Sequence, residues 1–253
     1  MNVLILAAGY ATRLYPLTLT KAKPLLDVAG KPMIEWVMDN LGPVEGIDTI
    51  YVVTNNKFAR DFQTWADDYK QRNPARQLKI INDGSVDDSD KLGAIGDVNL
   101  VLVREDLGRD DLILVAGDNL FSEPLTEFVA HARGSEATLA TYDVGDLEAI
   151  KKYSAITLDA DGMITSFEEK PVEPKSTLTG IALYYFSRET VSLFTTYIAA
   201  GNNPDQPGRF IQWLYPRKRV STFQITGTWF DIGSKETLEE ANDIFQQSRR
   251  PAE

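Results

Sequence analysis

Residues 1–32 read MNVLILAAGYATRLYPLTLTKAKPLLDVAGKP. The run from Asn2 to Ala7 is rich in leucine and β-branched residues and has no polar alternation, as a strand buried on both faces requires. It gives way at once to small residues, Ala7, Ala8 and Gly9. These let backbone N–H groups come close to an anion such as phosphate. From Ala8 to about Pro32 the chain carries two glycines and three prolines and predicts a loop. A loop that long inside a compact domain is usually functional. Its cations are Arg13, Lys21, Lys23 and Lys31. The Arg13 guanidinium can fork onto a polyphosphate, and the Lys23 ammonium adds a point charge. A glycine turn with solvated basic residues would show the same features. The stretch is neither a GxxxxGK[ST] loop nor a GxGxxG dinucleotide turn. No basic leader precedes the apolar run, so a buried strand is expected rather than a signal peptide.

Outward from this stretch, apolar runs alternate with helical patterns. Met33 to Leu41 predicts a helix with Pro32 at its first turn. TIYVVT at 49–54 is a second buried strand, and Asn55 or Asn56 can cap a helix running to about Arg72. Leu78 to Ile81 is a third strand, Asp83 to Lys91 a polar and acidic loop, Ile95 to Glu105 a helix, and DLILVA at 111–116 another buried strand. This alternation argues for parallel βαβ units. After a helix near Pro124–Arg133 the pattern changes. Ala137–Val144, Ser154–Leu158, Met163–Glu168 and Ile181–Phe186 predict strands joined by short turns, with DADG at 159–162 as a hairpin signal. Helices near Ser187–Ala200 and Arg209–Tyr215 follow, then a strand at Val220–Ile225. Ser234 can cap a last helix with Leu238, Ala241 and Phe245 at helical spacing. The tail Arg249–Glu253 is expected to fray.

The expected fold is therefore α/β: a Rossmann-like, mixed and mostly parallel central sheet flanked by helices, with a more antiparallel C-terminal half. In open α/β sheets ligands bind beyond the carboxyl ends of the strands. The loop after Ala7 and the residues after Ala116 are two such ends.

Composition narrows the chemistry. Of 253 residues, 43% are hydrophobic and 25% charged, which suits a globular chain. No apolar run approaches the roughly 20 residues of a membrane span. The net charge of −11 repels nucleic acid. It would repel a free nucleotide too, so phosphate binding needs locally gathered cations. There is no cysteine, which excludes disulfides, thiolate metal sites and a thiol nucleophile. The single histidine, His131, sits in EFVAHARG near a helix end. It is read as structural or solvent-facing, and one histidine cannot make a multi-histidine zinc site. Any metal must then be hard and oxygen-bound, with Mg²⁺ the natural candidate. Lack of a leader and of cysteine together lead us to expect a cytoplasmic protein.

The N-terminal stretch resembles the signature of the sugar-phosphate nucleotidylyltransferase family, which contains glucose-1-phosphate thymidylyltransferases and uridylyltransferases. LAAG at 6–9, TRLYPLT at 12–18, KPLL at 23–26 and GKP at 30–32 fall in the family's order. Further on, GDN at 117–119 follows a hydrophobic strand, FEEKP stands at 167–171 and GTWFDIGSKETL at 227–238. The resemblance runs from Met1 to about Gln247. It implies Leu6, Ala7, Ala8 and Gly9 against the nucleotide, and Asp118 and Asp231 as Mg²⁺ ligands. It also implies Lys170 on the acceptor phosphate, Glu169 on sugar hydroxyls and Gly180 where the backbone meets the sugar. It makes 1–253 a single nucleotidyltransferase domain, with about 1–134 as the nucleotide-binding half and about 135–247 as the acceptor-binding half.

The sequence also departs from the family. Ala11 replaces the second glycine of GxGTR, Asp27 replaces a proline, and Ser154 replaces the glycine that often follows the middle tyrosine, here Tyr153. PGRFIQWL at 207–214 offers no counterpart to a glutamate associated with sugar recognition. NDGSVDDSDKLGAIGD at 82–97 replaces the base-reading segment, and within it Asn82 and Gly93 are placed near the base.

The implied reaction couples a nucleoside triphosphate, dTTP or UTP first, to a sugar 1-phosphate and releases pyrophosphate. Arg13 would balance the leaving pyrophosphate and Lys23 the charge around the α-phosphate. Two other readings are open. One is a cytidylyltransferase acting on phosphocholine or another alcohol phosphate, motivated by segment 82–97. The other is a non-catalytic nucleotide-sugar-binding regulatory protein. Many relatives with this fold assemble through the C-terminal region, so a homo-oligomer is among the partners the resemblance allows.

Overall fold

The computed structural model describes residues 1–248; the expectation for Arg249–Glu253 lies outside them. In chain order the elements begin with β1 (Asn2–Leu6), the two-residue strands β2 (Asp27–Val28) and β3 (Lys31–Pro32), α1 (Met33–Leu41), β4 (Ile50–Thr54), α2 (Ala59–Arg72) and β5 (Leu78–Asn82). Then come α3 (Ala94–Arg104), β6 (Leu112–Ala116), β7 (Asn119–Phe121), α4 (Thr126–Ala132), β8 (Ala137–Asp143), α5 (Leu147–Ile150), β9 (Ser154–Leu158) and β10 (Ile164–Glu169). The chain continues with β11 (Leu178–Phe186), α6 (Arg188–Val191), α7 (Leu193–Ala199), α8 (Pro207–Leu214), β12 (Val220–Gln224), β13 (Trp229–Asp231) and α9 (Lys235–Ser248).

Among the described residues one sheet has seven strands in the order β12-β8-β11-β6-β1-β4-β5. β5 runs parallel to β4 and β12 parallel to β8, while β11 is antiparallel to both β6 and β8. The mixed, mostly parallel sheet flanked by helices is the one the alternating pattern predicts. Val3, Leu4 and Ile5 of β1 are fully buried, as its unbroken apolar run requires. No described helix is long and apolar enough to cross a membrane.

The chain forms two compact units, each assembled from separate segments. One unit comprises Met1–Leu4, Leu92–Val115 and Glu127–Thr226. Its strands β9 and β10 form the hairpin that DADG foretells, with Gly162 at φ +75°. Its helices bury an aromatic cluster in which Phe194 stacks on Phe210 at 3.8 Å and Phe186 meets Phe194 edge-on at 5.0 Å. The helix expected at Ser187–Ala200 is two, α6 and α7, meeting at Ser192.

The other unit comprises Ile5–Lys91, Ala116–Thr126 and the chain from Gly227 onward. Helix α1 buries Met33, Ile34, Val37, Met38 and Leu41, one face at helical spacing. Its Asn40 carboxamide donates to the Phe121 carbonyl at 2.7 Å, and its own carbonyl accepts from Leu125 N–H at 2.9 Å. These bonds tie β7 to the helix end. The long loop is not structureless. It is built of short 3₁₀ turns at Thr12–Leu14, Leu17–Leu19 and Lys23–Leu25, followed by the β2–β3 hairpin. That hairpin turns through Ala29 and Gly30, both at positive φ, as a two-residue turn matched to strand twist demands. Helix α2 starts later than its expected cap. Phe58 holds the N-cap position, and Asn55 instead accepts the Phe58 N–H at 3.1 Å, shaping the turn ahead of the helix.

Candidate active site

Beneath the site lies one apolar cluster: Leu14, Leu26, Val28, Ala29, Met33, Leu120, Ile232, Ala241 and Phe245, all buried. Four segments distant in sequence feed it, and each carries a charged candidate within three positions. Arg13 precedes Leu14, Lys23 lies three before Leu26, Asp118 two before Leu120, and Asp231 precedes Ile232. Burying each of the large side chains contributes roughly 1.5–3 kcal/mol. That contribution holds the charged neighbours in place without ordering their tips.

The geometry is set first by Gly117. A Cβ there would lie 3.2 Å from the Ile5 side chain, 3.2 Å from the Leu6 carbonyl oxygen and 3.3 Å from Pro24 Cβ. Glycine therefore lets the Lys23–Leu25 turn pack directly onto the end of β1. Lys23 Nζ then donates to Asp118 Oδ2 at 2.6 Å and stands 3.9 Å from Asp231 Oδ1. The ammonium is buried beneath its partners: the side chains of Lys23, Asp118 and Asp231 are 11%, 27% and 42% exposed.

Asp231 reaches the site through a second device. β13 pairs antiparallel with β7, with Asp231 opposite Asn119 and Trp229 opposite Phe121. The two-strand ladder brings the second acid beside the first. Crowding by protein pushes the Asp231 carboxyl above the usual carboxylate range, and the Asp118 charge adds to the rise; Lys23 and Arg13 counter it. Arg13 is near enough to act on the Asp231 charge, and its Nη1 lies 4.0 Å from where a Cβ on Gly233 would stand. The structure thus gathers Arg13, Lys23, Asp118 and Asp231 in one place.

Around this centre lies the small-residue turn. Ala7 N–H donates to the Val53 carbonyl at 2.9 Å, and the Asn55 carboxamide donates to the Ala8 carbonyl at 2.8 Å. Gly9 is exposed, its φ is not left-handed, and a Cβ on it would meet no protein atom within 4 Å. Ala11 sits in the left-handed region at φ 48°, ψ 46°, and its carbonyl accepts from Thr18 Oγ1 at 2.8 Å. The Tyr10 hydroxyl shares a 3.2 Å hydrogen bond with Ser85, joining this turn to the acidic segment after β5. Asn82, at the end of β5, donates to Asn56 at 2.9 Å and accepts from Gly84 N–H at 2.9 Å.

The remaining candidates belong to the other unit. Gly93 is buried at φ +79°, and a Cβ on it would stand 2.7 Å from the Pro204 carbonyl oxygen. Packing alone therefore demands glycine there. Glu169 closes β10, with Ser154 opposite it on β9. Lys170 follows at φ 48°, its N–H donating to the Tyr153 carbonyl at 2.8 Å and its side chain exposed. Gly180 lies under Leu139 and Ile156, which a Cβ would meet at 2.9 and 3.0 Å. A Cβ on Gly208 in α8 would stand 3.2 Å from the Phe167 ring and 3.9 Å from Glu169 Oε2. His131 is exposed, its ring 5.5 Å from Phe223.

Two residues at the centre escape sequence reasoning although its motifs contain them. Asn119 donates to Asp118 Oδ1 at 3.1 Å, and Trp229 Nε1 donates to Asn119 Oδ1 at 2.7 Å. Asn119 is the third letter of GDN, but nothing local in the sequence places the indole beside it.

The donor set suits Mg²⁺. Among the described residues no group of three or more His, Cys, Asp or Glu is arranged to hold a metal. Two carboxylates do converge, and Mg²⁺ is commonly held by one or two carboxylates with substrate phosphates and water completing its shell.

A mixed α/β sheet with a small-residue turn after its first strand and an acid just beyond β6 is an open α/β architecture of the kind that binds ligands beyond its strand ends. The chain belongs to the Nucleotidyl transferase family, which it matches over residues 2–248. Among curated relatives it is similar to the bifunctional protein GlmU of Methanocaldococcus jannaschii, with 26% identity over 96% of this chain and 53% of that protein. It is also similar to glucose-1-phosphate thymidylyltransferase of Mycobacterium tuberculosis, with 29% identity over 99% of this chain and 84% of that protein. The chain thus spans about half the length of the first of these. A solved UDP-glucose pyrophosphorylase complexed with UDP-glucose shares the fold, with a TM-score of 0.80 at 22% identity over 98% of this chain and 99% of that one.

Proposed function

We propose that this protein is a Mg²⁺-dependent nucleotidylyltransferase that couples a nucleoside triphosphate, dTTP or UTP first, to a sugar 1-phosphate. The observation that carries the reading is the meeting of Lys23, Asp118 and Asp231, with Arg13 beside them, at the end of the central strands. The thymidylyltransferase relative supports the choice of substrates. An oxygen of the acceptor phosphate attacks the α-phosphorus, the α–β phosphoanhydride bond breaks, and pyrophosphate leaves with the electron pair. The attacking oxygen is already ionised, so the protein supplies position and charge rather than a nucleophile.

Lys23 stabilises negative charge growing on the α-phosphate, and Arg13 forks onto the leaving pyrophosphate. Gly9, which neither backbone nor packing requires, leaves room for phosphate oxygens to come close to the turn at Ala8–Gly9, while the Ala7 N–H is held by the Val53 carbonyl and Leu6 ends β1. Asp118 and Asp231 would hold Mg²⁺, which when bound neutralises phosphate charge. Lys170 would take the acceptor phosphate and Glu169 the sugar hydroxyls, with Gly180 against the sugar. The nucleotide half is taken as about residues 1–134, with Asn82 and Gly93 towards the base, and the acceptor half as about 135–247.

The test is pyrophosphate release with Mg²⁺ across dTTP, UTP, CTP, ATP and GTP, each paired with several sugar 1-phosphates and with phosphocholine. Turnover confined to a sugar 1-phosphate is the expected outcome. Turnover confined to CTP with phosphocholine would replace this reading with the cytidylyltransferase, and tight nucleotide binding with no pyrophosphate would replace it with a binding protein.

A further inference from the structure

We propose that Asn119 and Trp229 are positioning residues that lock the Asp118 carboxylate into the orientation in which it and Asp231 can share one cation. The inference rests on the reading of those two aspartates as Mg²⁺ ligands.

The argument starts from what each group can donate. An indole N–H is a donor only. Trp229 Nε1 lies 2.7 Å from one end of the Asn119 carboxamide, so that end must be the oxygen. The other end is therefore the NH₂, and it lies 3.1 Å from Asp118 Oδ1. The indole thereby removes the two-fold ambiguity of the amide and leaves Asn119 only a donor toward the acid. A donor there holds one of the carboxylate's two oxygens in place. The other oxygen, Oδ2, faces Lys23 on the side from which Asp231 also approaches.

The ladder makes this one device. Trp229 and Asp231 lie two apart on β13 and share a face, and Asp231 pairs with Asn119 across the ladder. The strand that delivers the second acid thus also delivers the indole that sets the first. Asn119 is 3% exposed, so its amide has no water with which to exchange this bond freely.

Outer groups that orient metal ligands typically cost about 10–100-fold in metal affinity when removed. The test is Mn²⁺ binding to the full chain, titrated to millimolar and read by water-proton relaxation, for the parent, Trp229→Phe, Asn119→Ala, the double variant and Asp118→Asn. Trp229→Phe keeps an apolar ring while losing the donor, so it guards against a fold failure at buried Asn119; thermal melts accompany each protein. The expected result is a loss of about tenfold for Trp229→Phe and about 10–100-fold for Asn119→Ala. The double variant should lose no more than Asn119→Ala alone, because Trp229 acts through Asn119. Losses that add, or Mn²⁺ affinity unchanged in both single variants while Asp118→Asn abolishes it, would overturn the positioning role and leave the metal reading standing. Mn²⁺ binding that Asp118→Asn does not alter would overturn the metal reading itself, and this inference with it.

Discussion

Lys23 and Asp118, 95 residues apart in the chain, are joined by a 2.6 Å ion pair that the rest of the unit is built to hold. The same ammonium stands 3.9 Å from Asp231. Without it two carboxylates would face each other, and Asp231 is already pushed up by crowding and by its neighbour. Replacing Lys23 with methionine keeps the stem that packs in the turn and removes only the charge. Turnover should fall on the order of 10²–10³-fold, taking a lost oxyanion donor as the yardstick. Circular dichroism should be unchanged. Pyrophosphate release near the parent rate would remove Lys23 from the chemistry.

Ala11 adopts φ 48° where the related signature has glycine. A left-handed non-glycine residue costs about 1–2 kcal/mol. Glycine would relieve it but loses roughly 0.5–1 kcal/mol to greater freedom in the unfolded chain. Ala11→Gly should therefore be neutral or stabilise by up to about 1.5 kcal/mol, whereas β-branched Ala11→Val should destabilise. Urea melts decide it: a clear loss of stability in Ala11→Gly would show that the left-handed turn is not the cost it appears from the dihedrals.

Much of this site was legible because its motifs are local. LAAG, the Lys23–Pro24 pair, GDN and the segment around Asp231 could each be quoted from the sequence, and β1, β4 and β6 announce themselves as apolar runs. What escaped are features with no local signal. β7 and β13 have three residues each, too few to show a period of two. Their pairing is long-range, and so is the bond from Trp229 to Asn119 across 110 positions. Gly93 shows the converse. Its glycine suggested a ligand, yet Pro204 and Asp205 packed against it give a sufficient reason of their own.

Glu35 gives the unit a pH dependence away from the site. Burial alone would raise its carboxyl, but hydrogen bonds from Arg72 and from the Trp65 indole outweigh it and hold it below the ordinary glutamate value. Arg72 Nη2 and Nη1 donate to it at 2.6 and 3.1 Å, and Trp65 Nε1 donates at 3.0 Å. Because the folded value lies below the unfolded one, this stabilisation is complete above the unfolded pKa and is lost as pH falls through the folded value. Glu35→Gln should cost about 1–3 kcal/mol at neutral pH. It should also flatten the loss of stability on the acid side of the ordinary glutamate pKa. Parallel urea melts from neutral pH down through that range measure it; two curves of equal acid slope would mean that Glu35 does not titrate differently on folding.

Gly117→Ala tests whether the site depends on close approach rather than on charge alone. The added methyl would sit 3.2 Å from the Leu6 carbonyl oxygen, a backbone atom that cannot swing away, and 3.3 Å from Pro24 Cβ. Overpacking of this kind costs about 1–3 kcal/mol. The softer of the two neighbours is the turn carrying Pro24, so relaxation should move Lys23 away from Asp118 rather than bend β1. Displacing a catalytic group by about 1 Å can cost on the order of 10²-fold in rate. The variant should therefore stay folded at moderate temperature and lose turnover far beyond its loss of stability, with the acceptor KM little changed. Equal losses in stability and turnover, or full activity in the folded protein, would mean that the Lys23 turn is not what Gly117 positions.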